Sequence, residues 1–228
     1  MENNFIQESL NLYAKVDTFS IDEGADIKEQ ALILDKLSDY NLVLVSVHKS
    51  NANPWKDFKI SKNTDIFLQT IALQSKLVLS VFANPYSINS FLFTDNFDAM
   101  ILGYQNSSLA QHIVAQSIFG GLSINGNLPV TTKHFSINSG HTTDSIRLSY
   151  GLQLYKNFNK KLEFMIDSLV DNAIKEKAIP GCQILIAKKG NVVFNKSYGY
   201  HTYENNQAVK NTDVYDIASI TKIVATVP

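Results

Sequence analysis

Short apolar runs and helix-like segments alternate along the first two-thirds of the chain. Three runs have the length of a strand and are almost wholly apolar: Leu42–Val47, Leu77–Phe82 and Ala99–Leu102. Strands that are apolar at successive positions are buried on both faces, which is typical of a parallel sheet covered by helices. The pattern therefore predicts an α/β arrangement for this part of the chain.

The helices predicted in this part each present apolar residues at helical spacing. We expect them at Asp26–Ser38, with Ile27, Ala31 and Leu34 on the buried face; at Thr64–Leu73, with Thr64 as N-cap and Phe67 and Ile71 inward; and after Ser107 or Ser108, with Leu109, Ile113 and Ile118 inward. Asn84–Pro85 opens a further short helix, and Gly120–Gly121 ends the last one.

The pattern changes between residues 135 and 158, where the chain is polar and keeps no sustained period. We place a boundary near residue 150. An amphipathic helix follows, with Asn159 as N-cap, and Pro180–Gly181 ends it. Its apolar face comprises Leu162, Met165, Ile166, Leu169, Val170, Ala173 and Ile174. Cys182–Ala187 and Val192–Ser197 are two β runs around a Lys-Gly turn, which predicts a hairpin.

Composition narrows the classes of function. The 228 residues carry 20 basic and 21 acidic side chains, a formal net charge of −1, and 45% of them are hydrophobic. This apolar content excludes a mostly disordered chain, and the balanced charge argues against nucleic acid as a partner. The acidic N-terminal segment predicts no signal peptide, and no apolar run approaches the roughly 18 residues of a transmembrane segment.

The sequence contains no motif that supports cofactor or metal chemistry. Cys182 is the single cysteine, so an internal disulfide and a multi-cysteine metal site are excluded, and we expect its thiol to lie in the core. The histidines lack the spacing of paired metal ligands, and neither G-x-G-x-x-G nor a P-loop occurs. We expect no cofactor and no metal.

The strongest candidate for chemistry is Ser219-Ile220-Thr221-Lys222. Residues i and i+3 share one face of a helix, so the Lys222 amine could accept the Ser219 hydroxyl proton if the lysine were desolvated. The spacing also fits a capping serine followed by a solvated lysine. Ser46-Val47-His48-Lys49 has the same spacing but follows a predicted strand, where i and i+3 point to opposite faces; we interpret it as chance.

Several features around Ser219 occur together and in order: Pro180–Gly181, a hairpin through Gly190, Tyr198–Gly199 and Ala218–Lys222. This part resembles the start of serine β-lactamase-related hydrolases of the class C and penicillin-binding-protein kind. The resemblance implies that Ser219 is the acylated nucleophile and Lys222 its base. The family also needs a later Tyr-x-Asn motif and a Gly-containing strand, which do not occur between Lys222 and Pro228, so we expect the chain alone to be a poor hydrolase.

The first part has its own resemblance, carried by Ala115–Gly121 followed by Gly126–Val130. It is similar to the C-terminal α/β sandwich domain of family 3 glycoside hydrolases, and Arg147–Gly151 looks like the junction of fusions to a β-lactamase-like domain. In that family the nucleophilic aspartate belongs to a preceding (β/α)₈ barrel. The resemblance therefore assigns no glycosidase catalytic residue to this chain.

Other polar and aromatic residues of the first part are weaker candidates. Asp95 and Asp98 are interpreted as a solvated turn. His48 follows the first strand, where α/β folds often bind ligands, but we favour a hydrogen-bonded structural histidine. Trp55 could stack on a sugar, although a packed loop anchor is the preferred interpretation.

These observations lead to one organisation and three functional hypotheses. We expect an α/β fold, a mostly parallel sheet sandwiched by helices (1–145), then a linker (146–158) and a truncated α+β segment of helix, β-hairpin and start of the nucleophile helix (159–228). The first hypothesis is a segment of an exported bacterial bifunctional hydrolase. It would join a family 3 β-N-acetylhexosaminidase-like enzyme to a serine β-lactamase-like one.

The expected substrates follow from the two resemblances: an amino-sugar glycoside or cell-wall-derived material, and an acyl or peptide substrate at the serine. The second hypothesis is a non-catalytic, carbohydrate-associated accessory module with a vestigial Ser–Lys pair. A small autonomous serine esterase is the third and is disfavoured. Apolar surface left open in residues 159–228 predicts loose packing or self-association of this part.

Overall fold

The computed structural model describes residues 5–49, 58–151, 156–204 and 206–226, with backbone only for residues 156–159. The chain divides into two compact units, Met1–Ser149 and Tyr150–Pro228. The helices and strands in the first unit are α1 (Phe5–Leu10), α2 (Ile27–Leu37), β1 (Leu42–His48), α3 (Lys62–Gln74), β2 (Lys76–Phe82), a 3₁₀ helix (Pro85–Ser90), β3 (Ala99–Leu102) and α4 (Ser108–Ile118). The short strand β4 (Ser149–Tyr150) lies at the division, and α5 (Lys156–Lys175), β5 (Gly181–Lys188), β6 (Asn191–Gly199) and α6 (Ile220–Thr226) follow.

The first unit is built on a parallel sheet with the strand order β1–β2–β3. β1 and β2 pair in register from Leu42 with Lys76 to His48 with Phe82. Alternate strand residues point to opposite faces, so the sheet has two cores. One core contains Leu77, Leu79 and Val81 with apolar residues of α2 and α3, and the other contains Phe82 with residues of α1 and α4. The predicted α/β fold, with helices on both faces of a parallel sheet, is confirmed.

Two helices of the first unit differ from the predicted pattern at their N-terminal ends. α2 begins with a capping box, in which the Asp26 carboxylate accepts from the backbone of Lys28 and Glu29. Of the residues predicted on the buried face, Ile27 is 85% exposed and Ala31 is exposed, whereas Leu34 packs partly buried against the core. The buried residue of this helix is Leu37. In α3 the N-cap is Ser61 rather than Thr64, because the Ser61 hydroxyl accepts from the Thr64 N–H at 3.1 Å.

The predicted apolar face of α4 is partly wrong. Ser107 is the N-cap, as one of the two expected alternatives, but Leu109 is 49% exposed and Ile113 is 37% exposed. The inward face instead carries Gln111, Val114, Ala115 and Gln116, with Ile118 packed against the same core. Gln111 and Gln116 are buried because they accept hydrogen bonds, from the Ile6 N–H at 3.1 Å and from the Tyr13 hydroxyl at 3.0 Å.

The second unit consists of α5 packed on the β5–β6 hairpin, followed by a turn-rich segment and α6. The hairpin turn is Lys189–Gly190, and both residues have positive φ (51° and 77°), as a type I′ turn requires. Ile166, Val170 and Ile174 of α5 pack near Phe194 and Tyr198 of β6. α5 already includes residues 156–159, so the prediction of Asn159 as its N-cap is wrong.

The far end of the hairpin is closed by a left-handed glycine. Gly199 ends β6 with φ 63°, and an added Cβ atom there would lie 2.4 Å from the Pro180 carbonyl oxygen. That carbonyl accepts the Tyr200 N–H at 3.0 Å, which fixes where the chain leaves the hairpin. None of the helices in the described ranges combines the length and apolar character needed to cross a bilayer.

Candidate active site

Between β6 and Ser219 the chain first turns back beside the end of the β5–β6 hairpin. The Val209 N–H donates to the Gly199 carbonyl at 3.1 Å, and the His201 N–H donates to the Gln207 carbonyl at 2.9 Å. Tyr200 and Ala208 form an antiparallel bridge. These contacts bring residues 209–213 back beside β6, from which the chain runs on to α6.

A set of polar contacts holds residues 210–213. The Asp213 carboxylate accepts from His201 Nε2 at 2.8 Å and from the Lys210 N–H at 2.7 Å. These two contacts, with the Lys210 backbone as the larger cause, hold the pKa of Asp213 below its ordinary value. The Gln183 amide of β5 donates to the backbone carbonyls of Lys210 and Asp213.

The turn before the candidate nucleophile has unusual backbone geometry. The Asp216 carboxylate accepts from the Ala218 N–H at 2.8 Å, which forms an Asx turn. Ala218 has a φ of 43°, a left-handed value that is costly for a residue with a Cβ atom. Strained backbone conformations of this kind concentrate at active sites, so the strain at Ala218 supports a functional role for the neighbouring Ser219.

Ser219 and Lys222 lie in one helical turn. Ser219 is the residue before α6, and the Lys222 N–H donates to the Ser219 carbonyl at 3.1 Å. Both residues are exposed, and within the described part of the chain no hydrogen bond joins the Ser219 hydroxyl to the Lys222 ammonium. The Ser219 N–H also has no acceptor among the described residues. The assignment of nucleophile and base to this pair stays a prediction.

The surroundings of this pair are apolar and open. Ile220, Ile223 and Val224 of α6 are 58%, 64% and 63% exposed, and no residue of this helix is buried. A serine and a lysine in this setting are solvated, so the described residues do not supply the desolvation that general-base catalysis by lysine needs.

A second cluster in this unit joins α5 to β6. Lys196 Nζ donates to both Asp167 carboxylate oxygens at 2.8 Å, and the Tyr198 hydroxyl donates to the same carboxylate at 2.5 Å. The Lys196 hydrogen bond is the main cause that lowers the pKa of Asp167, and Tyr198 is the next. Burial, followed by the hydrogen bond to Asp167, raises the pKa of Tyr198 far above its ordinary value.

Cys182 pairs with Tyr198 across the hairpin and packs against the same apolar cluster. Burial raises the pKa of its thiol, the opposite of what a reactive thiolate requires. This geometry supports the interpretation of Cys182 as a packing residue.

The other candidate residues of the first unit make structural contacts. The His48 ring bonds to Asn106 and Ser46 at 2.9 Å each and stacks on Phe82, with ring centroids 4.9 Å apart. Lys49 pairs with Glu23 at 2.5 Å, so the second S-x-x-K sequence joins its serine and its lysine to different partners.

Asp95 and Asp98 line an open depression of about 510 Å³ at the amino ends of the strands. Both side chains are exposed, as a solvated turn predicts, and the Asp98 carboxylate also accepts the Leu77 N–H at 2.8 Å. Trp55 lies outside the described residues. Among the residues that the structure describes, no three His, Cys, Asp or Glu side chains come together as metal ligands would.

The pairing of His201 with Asp213, and the link from Gln183, were not anticipated from sequence. Asp213 lies 12 residues beyond His201 and 30 residues beyond Gln183, and no period or motif connects positions so far apart. The return of residues 209–213 along β6, which brings the three together, depends on backbone bonds rather than on a hydrophobic pattern.

Comparison with known proteins bears on the second unit. Residues 166–227 match the family model described as Beta-lactamase. Protein flp of Staphylococcus aureus is 40% identical over 57 residues in strains NCTC 8325 / PS 47, COL and MW2. That stretch is 25% of this chain and 11% of each relative, so the match covers about a tenth of their length. No solved structure matches the chain significantly. The matched residues 166–227 include Ser219 and Lys222.

Proposed function

We propose that this chain is part of a bifunctional hydrolase in which residues from about 159 onward begin a serine hydrolase domain that works through an acyl-enzyme. The observation that carries the proposal is the β-lactamase match over residues 166–227, which contains the Ser219–Lys222 turn. The left-handed Ala218 immediately before the serine supports it, because such strain is otherwise uncommon for alanine.

The proposed chemistry assigns one role to each group. The Ser219 Oγ attacks the carbonyl carbon of an acyl or peptide substrate, and the Lys222 amine, in its neutral form, takes the hydroxyl proton. The oxyanion that forms needs hydrogen-bond donors, and the Ser219 N–H is available for this task. Collapse of the tetrahedral intermediate expels the leaving group with a proton from Lys222, and water later releases the acyl group.

Further groups are needed to complete this site. Ser219 and Lys222 are exposed, and the described residues bring no third group to either side chain. We therefore propose that residues 1–228 alone turn over substrate poorly and that the complete gene product supplies the remaining wall of the site.

For the first unit we propose the C-terminal α/β domain of a family 3 β-N-acetylhexosaminidase-like enzyme. The parallel sheet between two helix layers suits that domain, as does the left-handed Gly120 (φ 74°) that follows the end of α4. The glycosidase nucleophile would then belong to a barrel outside this chain. Both activities act on cell-wall-derived material in this proposal, which favours an exported protein and a substrate that combines amino sugars with acyl or peptide groups.

The experiment is covalent labelling of the complete gene product with a fluorescent penicillin and a fluorophosphonate, followed by peptide mass spectrometry. We expect the label on Ser219 and its loss in Ser219→Ala. Lys222→Met should slow labelling about 10²- to 10⁴-fold, the usual contribution of a general base. Ser46→Ala is the matched control, since Ser46 has the same S-x-x-K spacing and should not affect the label.

The alternative function has a distinct outcome. If neither probe modifies the wild-type protein at Ser219, the acyl-enzyme proposal fails and the accessory module with a vestigial Ser–Lys pair is favoured. Hydrolysis of 4-nitrophenyl N-acetyl-β-glucosaminide by the complete gene product tests the glycosidase part. That activity should be unchanged in Ser219→Ala, and its absence from the wild type would count against the family 3 assignment.

A further inference from the structure

The contacts around Asp213 form an anchor at the start of the segment that carries Ser219. We use the term anchor for three side chains: His201 after β6, Asp213 in the returning segment, and Gln183 on β5. His201 Nε2 donates to the Asp213 carboxylate at 2.8 Å, and the Gln183 amide donates to the Asp213 carbonyl at 3.3 Å. Asp213 is therefore held at its side chain by a residue just beyond β6 and at its backbone by a residue of β5.

The anchor is reinforced by neighbouring groups. The Lys210 N–H donates to the Asp213 carboxylate at 2.7 Å, and the Ser197 hydroxyl of β6 donates to the Asn211 side chain. The Tyr215 ring lies 6.0 Å from the His201 ring. Burial, and then the Asp213 charge, raise the pKa of Tyr215. The titratable and charged groups that face the anchor are thus Lys210 and Tyr215.

Beyond the anchor the segment has few contacts of its own. Val214 is 96% exposed and Ile217 is 46% exposed, so neither side chain fixes the path of the backbone. The Asx turn at Asp216 and the left-handed Ala218 stiffen the last residues before Ser219. Residues 214–218 form a short, stiff connection with little packing, so a shift of Asp213 would carry Ser219 with it. The position of Ser219 therefore depends on where Asp213 is held.

We infer that His201 and Asp213, supported by Gln183, are positioning residues that set the place of the Ser219 nucleophile. This inference rests on the proposed function, in which Ser219 is acylated. Neither residue touches the substrate or takes part in proton transfer in this scheme. Their effect is on the geometry of attack, where a displacement of about 1 Å costs on the order of 10²-fold in rate.

The test measures acylation of the complete gene product by a fluorescent penicillin, with the rate constant at saturation separated from the affinity for the probe. Asp213→Ala and His201→Ala should each lower the rate constant about 10- to 100-fold and change the affinity less than about threefold. Asp213→Asn should recover most of the rate, because its amide oxygen still accepts from Lys210 and His201. Glu176→Gln, at an exposed carboxylate just after α5, is the matched control and should behave as the wild type does.

Amide hydrogen exchange on the same proteins keeps the inference testable apart from the proposed function. Asp213→Ala should speed exchange in residues 214–222 and leave β5 and β6 unchanged, whether or not Ser219 reacts. If the wild type is not acylated but this exchange pattern is found, the result refutes the proposed function alone. Wild-type acylation rates in both alanine variants, or unchanged exchange in residues 214–222, would overturn the inference. If an alanine variant loses amide protection in the hairpin, His201→Gln is tested in its place. The same two criteria apply to it: the acylation rate and the exchange in residues 214–222.

Discussion

At the scale of single residues, the second unit depends on carboxylates that each collect several donors. Asp167 receives two hydrogen bonds from Lys196 and one from Tyr198, and so joins α5 to β6. Asp213 receives one from His201 and one from Lys210. Charge-assisted contacts of this kind are directional, which suits a unit whose apolar core is small.

The Asp167 contacts predict an acid-sensitive contribution to stability. The pKa of Asp167 is lower in the folded state, so its contacts stabilise the fold above the unfolded-state pKa of about 3.9 and lose this effect as pH falls through the folded-state value. Asp167→Asn should therefore unfold at lower urea than the wild type near pH 7, with the difference shrinking towards pH 3.

Amide signals of α5 and β6, followed through a urea titration, provide the measurement. Glu176→Gln, at an exposed carboxylate just after α5, serves as the matched control. If the urea concentrations that unfold the wild type and Asp167→Asn differ as much at pH 3 as at pH 7, the stabilising role assigned to the Asp167 carboxylate is contradicted.

Sequence reasoning succeeded where a residue acts through its neighbours in the chain. Ser107 was one of two predicted caps and is the N-cap of α4, and Asn84 opens the 3₁₀ helix as expected. The prediction of Thr64 as N-cap is wrong because Ser61, three residues earlier, can also cap, and only the backbone path selects between the two. The same holds for the candidate site. The spacing of Ser219 and Lys222 is local in the chain and was recognised from the sequence, whereas the contact between His201 and Asp213 is not local and was missed.

At the scale of elements, helical periodicity indicated the existence of each helix better than its buried face. In α2 Leu37 is buried and Ile33 and Leu34 pack partly buried against the same core, whereas Ile27, at the start of the predicted stripe, is 85% exposed. In α4 two glutamines occupy the inward face because α1 and Tyr13 provide partners for them. A hydrophobic pattern cannot register a buried polar residue whose partner lies about 100 positions away.

The helix α3 offers a matched pair for measuring what burial contributes. Leu68 is 1% exposed and Leu73 is 83% exposed on the same helix. Leu68→Ala should destabilise the first unit by about 2–5 kcal/mol, because it leaves a cavity between α3 and the sheet. Leu73→Ala should change the free energy of unfolding by less than about 0.5 kcal/mol.

Urea unfolding monitored by circular dichroism on the two variants checks this pair of values. Equal destabilisation by both substitutions would contradict the packing of α3 on the sheet, since helix propensity changes alike at the two positions.

At the scale of the whole molecule, the two units differ in how much apolar surface they bury. The first has two cores, one on each face of the parallel sheet. The apolar cluster in the second is centred on Val170, Phe194 and Tyr198. Met165 and Leu169 of α5 are 52% and 70% exposed, so part of the helix face predicted to be apolar remains open.

This difference predicts unequal amide exchange in residues 1–228. Exchange across residues 160–225 should be faster than in β1, β2 and α3, because fewer buried contacts oppose local opening. Hydrogen exchange with mass spectrometry, at several protein concentrations, measures it. If protection in residues 160–225 rises with concentration and sedimentation shows larger species, the open apolar faces are covered by self-association. Uniformly slow exchange in a monomer would contradict both possibilities.

The glycine at the end of β6 bears on how freely this sequence can vary. Any side chain at Gly199 would meet the Pro180 carbonyl and the Ile174 side chain, and would also have to adopt a left-handed backbone. Gly126, by contrast, has open space around it and an ordinary φ. A library randomised at both codons and selected for folded protein should thus return nearly every amino acid at position 126 and glycine alone at position 199. The path towards Ser219 is in this sense fixed 20 codons before the serine itself is encoded.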